Sequence, residues 1–155
     1  MGWFNYYGLI VVLLLILPTV IASAKNKDLF VNYYHNRVVE AIENVTRIGC
    51  FVLMPFNIPY TYFGFFYENA LIVYAVVNFS LTFAYLLLFY LMRNKPGMVR
   101  SVLLSVIPSV IFIFSGITLR SIPLIVCSAG FSVTHVLISV MNAKLGEKRE
   151  KDKIK

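Results

Sequence analysis

Five runs of mostly apolar residues, separated by short charged or turn-forming stretches, account for most of this chain. A helix that crosses a bilayer needs roughly 20 such residues, because it must carry its own backbone hydrogen bonds through the whole thickness of the hydrocarbon. The runs cover 3–21, 48–66, 70–91, 101–119 and 122–141, leaving a tail at 142–155. They predict an all-α, polytopic integral membrane bundle of five transmembrane helices in a single domain, 1–155. With 59% hydrophobic and only 14% charged residues, the chain is not an ordinary soluble domain.

Charge location predicts the orientation. Of 14 Lys and Arg, four lie within 25–47, three within 93–100 and six in the tail, while Arg120 alone falls in another connection. Five spans with the amino terminus outside put thirteen of these residues in the cytoplasm and one outside, a strong positive-inside bias. The expected location is therefore the cell membrane, multi-pass, with a cytoplasmic carboxyl terminus. The net charge of +7 is explained by that location, so it points to the bilayer and not to nucleic acid.

The stretch "TVIASAKNKD" (19–28) carries Ala22-Ser23-Ala24, the small-x-small pattern of a signal-peptidase site. Cleavage there would reverse the charge bias, and "MGWFNYYG" at the start lacks the basic residues of a secretory leader. The first helix is expected to be retained.

Two segments are more patterned than plain spans. In "HNRVVEAIENVTRIG" (35–49) the residues Asn36, Arg37, Glu40, Glu43, Asn44 and Arg47 share one side of a helix, with Val38, Ile42, Val45 and Gly49 opposite. This predicts a short amphipathic helix in the cytoplasmic interface, running into the second span. Span two contains Pro55, Asn57 and Pro59, and each proline leaves the carbonyl four residues earlier without its amide partner. The helix must kink there or open into two halves. Broken backbone at membrane depth has to be packed in protein or line a wet cavity, so "PFNIP" is a candidate site.

The other candidate residues each have two readings. His135 is ionisable within an apolar span, a functional signal by default; a neutral His bonded to Asn57, Asn78 or a serine satisfies the same demand without function. Arg120 either clamps an anionic group or snorkels to the outer interface. Glu40, Glu43, Asn44 and Arg47 either bind a headgroup or supply an acid and base; equally, they form a solvated face with an ordinary i,i+4 ion pair between Glu43 and Arg47. Serines at 101, 105, 109, 128 and 132 form small-residue ridges suited to close helix packing. Cys50 and Cys127 have no neighbouring ligands at metal spacing and read as small buried hydrophobes. No cofactor or metal is expected. Phosphate-loop, zinc-protease and nucleophile-elbow motifs do not occur, so an enzyme would have to be built from scattered Glu, His and Arg residues.

The blocks "EAIENVTRIGCFVLMPFNIP" (40–59) and "SVIPSVIFIFSGITLRSIPLI" (105–125) resemble uncharacterised small multi-span membrane proteins of Gram-positive, clostridial-type bacteria. The resemblance implies a bacterial cytoplasmic-membrane location and says nothing about chemistry. The leading functional expectation is binding or transport of a small or amphiphilic solute. Its cavity would be bounded by Pro55, Asn57, Pro59, Asn78 and His135, with Tyr60, Tyr62 and Tyr74. An accessory subunit contacting another membrane protein or a second copy of the chain is the alternative, and a lipid-modifying enzyme using Glu40, Glu43 and Arg47 is the weaker one.

Overall fold

A computed structural model of the protein describes residues 3–25, 33–66, 69–92 and 97–154. These form five helices and no strand: α1 (Tyr6–Lys25), α2 (Arg37–Leu53), α3 (Ala70–Leu91), α4 (Met98–Leu119) and α5 (Ile122–Ile154). Among the described residues α3, α4 and α5 are long and apolar enough to cross a membrane. Twenty-two residues at about 1.5 Å each exceed the roughly 30 Å of hydrocarbon. The protein is thus all-helical with three candidate spans, and the expectation of five transmembrane helices is not met.

The discrepancy lies in the first half of the chain. α1 is apolar over the shorter stretch Tyr6–Ile21. The expected second span, 48–66, is helical only as far as Leu53, and is neither one kinked helix nor two half-helices. Pro55 and Pro59 each remove a backbone donor, and the segment finds partners elsewhere. Asn5 N donates to Pro55 O (2.7 Å), Asn57 N to Trp3 O (2.9 Å) and Ile122 N to Thr61 O (3.2 Å). The segment therefore caps the end of the bundle where α1 begins and α4 turns into α5. Tyr60 there is 97% exposed and left-handed, with φ 67°.

The expected amphipathic helix and the first part of span two are a single helix. Asn36 starts it, its side chain accepting from Val38 N and Val39 N, the usual N-cap arrangement. α2 packs along α5 in the opposite direction. A glycine on each helix allows the approach: a Cβ on Gly49 would stand 2.8 Å from Cys127 Sγ, and one on Gly130 3.0 Å from Thr46 Cγ2. Outward, α2 exposes Val38, Ile42, Val45, Ile48 and Val52, one apolar stripe at helical spacing.

α4 and α5 form a tight antiparallel hairpin in which the backbone of Ile125 lies where a Cβ on Gly116 would point. Ser105, Ser109, Ser128 and Ser132 donate to carbonyls of their own helix, which leaves small, satisfied surfaces for packing. α5 continues without a break into the basic tail. There Asn142 Oδ1 accepts from Tyr33 N (2.9 Å) and Tyr34 N (2.7 Å), and the Arg149 guanidinium sits 4.9 Å from the Tyr33 ring centroid.

Arg120 closes α4 in the left-handed conformation, φ 52°. Ser121 N bonds Gly116 O and Arg120 N bonds Ile117 O, the two bonds of a Schellman cap whose usual residue is glycine. Its guanidinium lies 5.6 Å and 5.0 Å from the Phe63 and Phe66 ring centroids. Arg120→Ala keeps the left-handed cost and loses the ring contacts, whereas Arg120→Gly relieves the backbone. The glycine variant should be more stable than the alanine variant by about 1 kcal/mol, measured by thermal unfolding in one detergent.

Candidate functional site

Two polar centres occupy the interior, and they differ in how completely they are closed. The first joins α1, α3, α4 and the segment after α2. Asn5 Nδ2 donates to Met54 O (3.2 Å) and to Tyr74 Oη (3.0 Å), while Asn5 Oδ1 accepts from Gly8 N (3.1 Å). The Tyr74 hydroxyl is also hydrogen-bonded to Ser115. Ser115 Oγ donates to Asn78 Oδ1 (3.1 Å), and Asn78 Nδ2 donates to Tyr74 O (2.9 Å). Asn5, Tyr74, Asn78 and Ser115 are all completely buried. Such a network, satisfied within the chain, fixes helix register.

The second centre links α2 to α5. Glu43, 7% exposed, accepts from Arg47 Nη2 one turn along its own helix and contacts His135 Nδ1 on α5 through Oε1 at 2.9 Å. Arg47 Nη2 also reaches Asn44 Oδ1 at 2.6 Å. The His135 ring stacks on Phe131, centroids 4.6 Å apart and planes 19° from parallel. An ionised carboxylate offers only acceptors, so the ring nitrogen facing Glu43 carries a hydrogen.

This second centre borders a half-open groove of about 460 Å³ to which all five helices contribute. Leu15, Ile16, Thr19 and Val20 form its α1 wall, Phe51 and Arg47 its α2 wall, and Tyr85 its α3 wall. Leu104, Pro108 and Phe112 of α4 and Phe131 and His135 of α5 complete it. From Leu104 to Phe112 the helix rises about 12 Å, less than one leaflet of hydrocarbon. Volume and lining match small-molecule sites: mainly apolar, with a few placed polar groups.

The residues singled out in the sequence are divided by the structure. His135 meets Glu43, which also holds Arg47, two groups that the sequence places in a different candidate site. Glu40 lies on the same helix, 3.4 Å from His35 Nδ1. Asn78 belongs to the closed network, and Pro55 and Asn57 pair with the start of the chain. Pro59 is in the same capping segment and Arg120 beyond it, at the end of the bundle away from the basic tail. The break at "PFNIP" has thus committed the Met54 and Pro55 carbonyls and the Asn57 amide to Trp3 and Asn5.

Sequence reasoning missed Asn5 and the groove residues Tyr85 and Pro108. Asn5 had one available signal, an amide just ahead of an apolar helix, the usual position of a cap. Pro108 had another, a proline inside an apolar span. No protein-family model matches the chain, nor does any curated protein or solved structure.

Asn5→Leu removes the donors and the acceptor that tie three elements together and strands the Met54 carbonyl and the Gly8 amide. It should cost about 2–3 kcal/mol, read as a lowered unfolding midpoint in bicelles.

Proposed function

We propose that the protein binds a small amphiphilic molecule within the membrane, in the groove lined by Arg47 and His135, with Glu43 behind them. One observation carries the reading: a half-open apolar groove of about 460 Å³ has Arg47 and His135 on its wall, both held by the buried Glu43 carboxylate. Ionisable groups among apolar helices are expensive and are kept where a polar ligand or pathway uses them. The groove gives an alkyl chain apolar walls on every helix, and the flank gives a headgroup fixed hydrogen-bonding partners. Binding is the activity assigned; carriage across the membrane would use the same site.

The basic end of the bundle faces the cytoplasm in this reading, and the amino terminus lies outside. Arg37 opens α2, Arg100 lies in the first turn of α4, and Lys144, Lys148, Arg149 and Lys151 lie in the last part of α5. The opposite end carries Trp3, Tyr6, Tyr60, Phe63 and Phe66 as exposed rings, the residue types of a membrane interface. The clostridial resemblance supports a bacterial cytoplasmic membrane as the location.

Two experiments test these points. Native mass spectrometry of protein extracted in lipid-preserving particles should show a bound amphiphile. Ile16→Trp, which fills the groove from α1, should reduce its occupancy about tenfold or more, whereas Asn57→Leu should leave occupancy of the folded fraction unchanged. Loss with Asn57→Leu and not with Ile16→Trp would move the site to the break. A membrane protein copurifying at fixed ratio, with the groove empty, would favour the subunit reading. For orientation, a reporter fused after Lys155 should be active only in the cytoplasm; activity on the outer side would reverse the assignment of both ends.

A further inference from the structure

Resting on the groove as the binding site, we infer that its ligand is a single-chain anionic amphiphile and that His135 takes up a proton from solvent when it binds. The hydrogen-bonding capacity of the cluster is already partly used. Glu43 is shut away, one oxygen on Arg47 Nη2 and the other on His135 Nδ1. Its negative charge therefore lies behind the groove wall. Arg47 carries five N–H donors, and only Nη2 makes the bonds to Glu43 and Asn44. Its side chain stays 40% exposed and lines the groove.

The wall thus presents donors. With His135 neutral, the cluster of Glu43, Arg47 and His135 has no net charge. An anionic headgroup beside Arg47 adds one negative charge in a setting of low polarity, where opposite charges attract far more strongly than in water. The group able to balance it is His135, whose Nε2 is the nitrogen not facing Glu43. A proton on Nε2 turns the ring into a donor at both nitrogens, one towards Glu43 and one for the ligand.

Among the described residues no other group on the groove competes for that proton. α1 contributes Thr19, α3 the phenol of Tyr85, and α4 Leu104, Pro108 and Phe112. α2 supplies the charges already named, and on α5 the ring of Phe131 supports the imidazole. Carboxylate, phosphate and sulfonate headgroups share the chemistry required. The chain is single because the groove rises only about 12 Å along α4 and encloses about 460 Å³.

The probe is 1-decanesulfonate, which stays ionised at all working pH, so any proton taken up must reside on the protein; 1-decanol is its uncharged counterpart. Full-length protein in nanodiscs is titrated calorimetrically in buffers of different protonation enthalpy. The sulfonate should bind about tenfold or more tightly than the alcohol, with net proton uptake that scales the observed heat with buffer protonation enthalpy. Its affinity should fall as pH rises, by up to about tenfold per pH unit, while that of decanol stays flat. His135→Gln should bind the sulfonate with no proton uptake. Glu43→Gln/Arg47→Gln, which removes the buried pair together, should erase the preference for the anion.

The wild-type pH profile requires no variant to fold, and a flat one overturns the role of His135. Equal binding of sulfonate and alcohol overturns the anion class while leaving the groove as the site. Failure of both to bind removes the groove reading and this inference with it.

Discussion

Glu43 is a carboxylate inside a bundle whose other buried side chains, among the described residues, are uncharged, and the placement of α2 follows from satisfying it. An uncompensated charge at such a position costs several kcal/mol, more than most single contacts in a helical protein return. Both oxygens are therefore engaged, one from within α2 and one from α5. That requirement turns Glu43 inward, with Arg47 half-buried beside it, while Arg37 and Asn44 stay exposed. Its apolar side, Val38 to Val52 along one stripe, faces away from the bundle. In water this would be an inverted helix; against lipid it is the low-energy arrangement, because the surroundings are as apolar as the stripe.

The same reasoning shows what a sequence pattern conveys and what it leaves open. Sustained apolarity is a local property, and it located α3 at 70–91 and placed the ends of α4 and the start of α5 within a few residues of their observed positions. A 3.6-residue period shows that α2 has two faces. It does not say which of them meets solvent, because that depends on whether the neighbours are water, lipid or another helix. Glu40, Glu43, Asn44 and Arg47 were legible as a group for this reason, while the inward direction of Glu43 was not. His135 is legible as an ionisable residue in an apolar run, but its partner is 92 positions away and is none of Asn57, Asn78 and the serines that the apolar spans offer.

The break after α2 shows a different limit. Pro55 and Pro59 announce that backbone groups are released, and local chemistry leaves open whether a ligand, water or the chain itself takes them up. Here the chain does, through Trp3 and Asn5. A pairing between positions about fifty apart leaves no periodic trace, so Asn5 looked like one polar residue at the edge of a span. Its three side-chain hydrogen bonds, with the backbone bond to Pro55, make it the clasp that holds the capping segment to α1 and α3.

One polar centre is built from neutral side chains and the other around a buried carboxylate, and they differ also in closure. Around Asn5, Tyr74, Asn78 and Ser115, donors and acceptors are matched within the chain and all four residues are buried. Nothing is left over to recognise a ligand, and the result is rigidity. Around Glu43 the carboxylate is saturated while Arg47 and His135 still border a cavity. α1 connects the two centres. The closed network holds its first residues, and its turn from Leu15 to Val20 forms one wall of the groove. Its main packing partner is α3, whereas α2 and α4 are each packed extensively on α5. Of the groove's walls, α1 is therefore the one whose displacement disrupts least packing, and the clasp at Asn5 fixes the end about which such a displacement would turn.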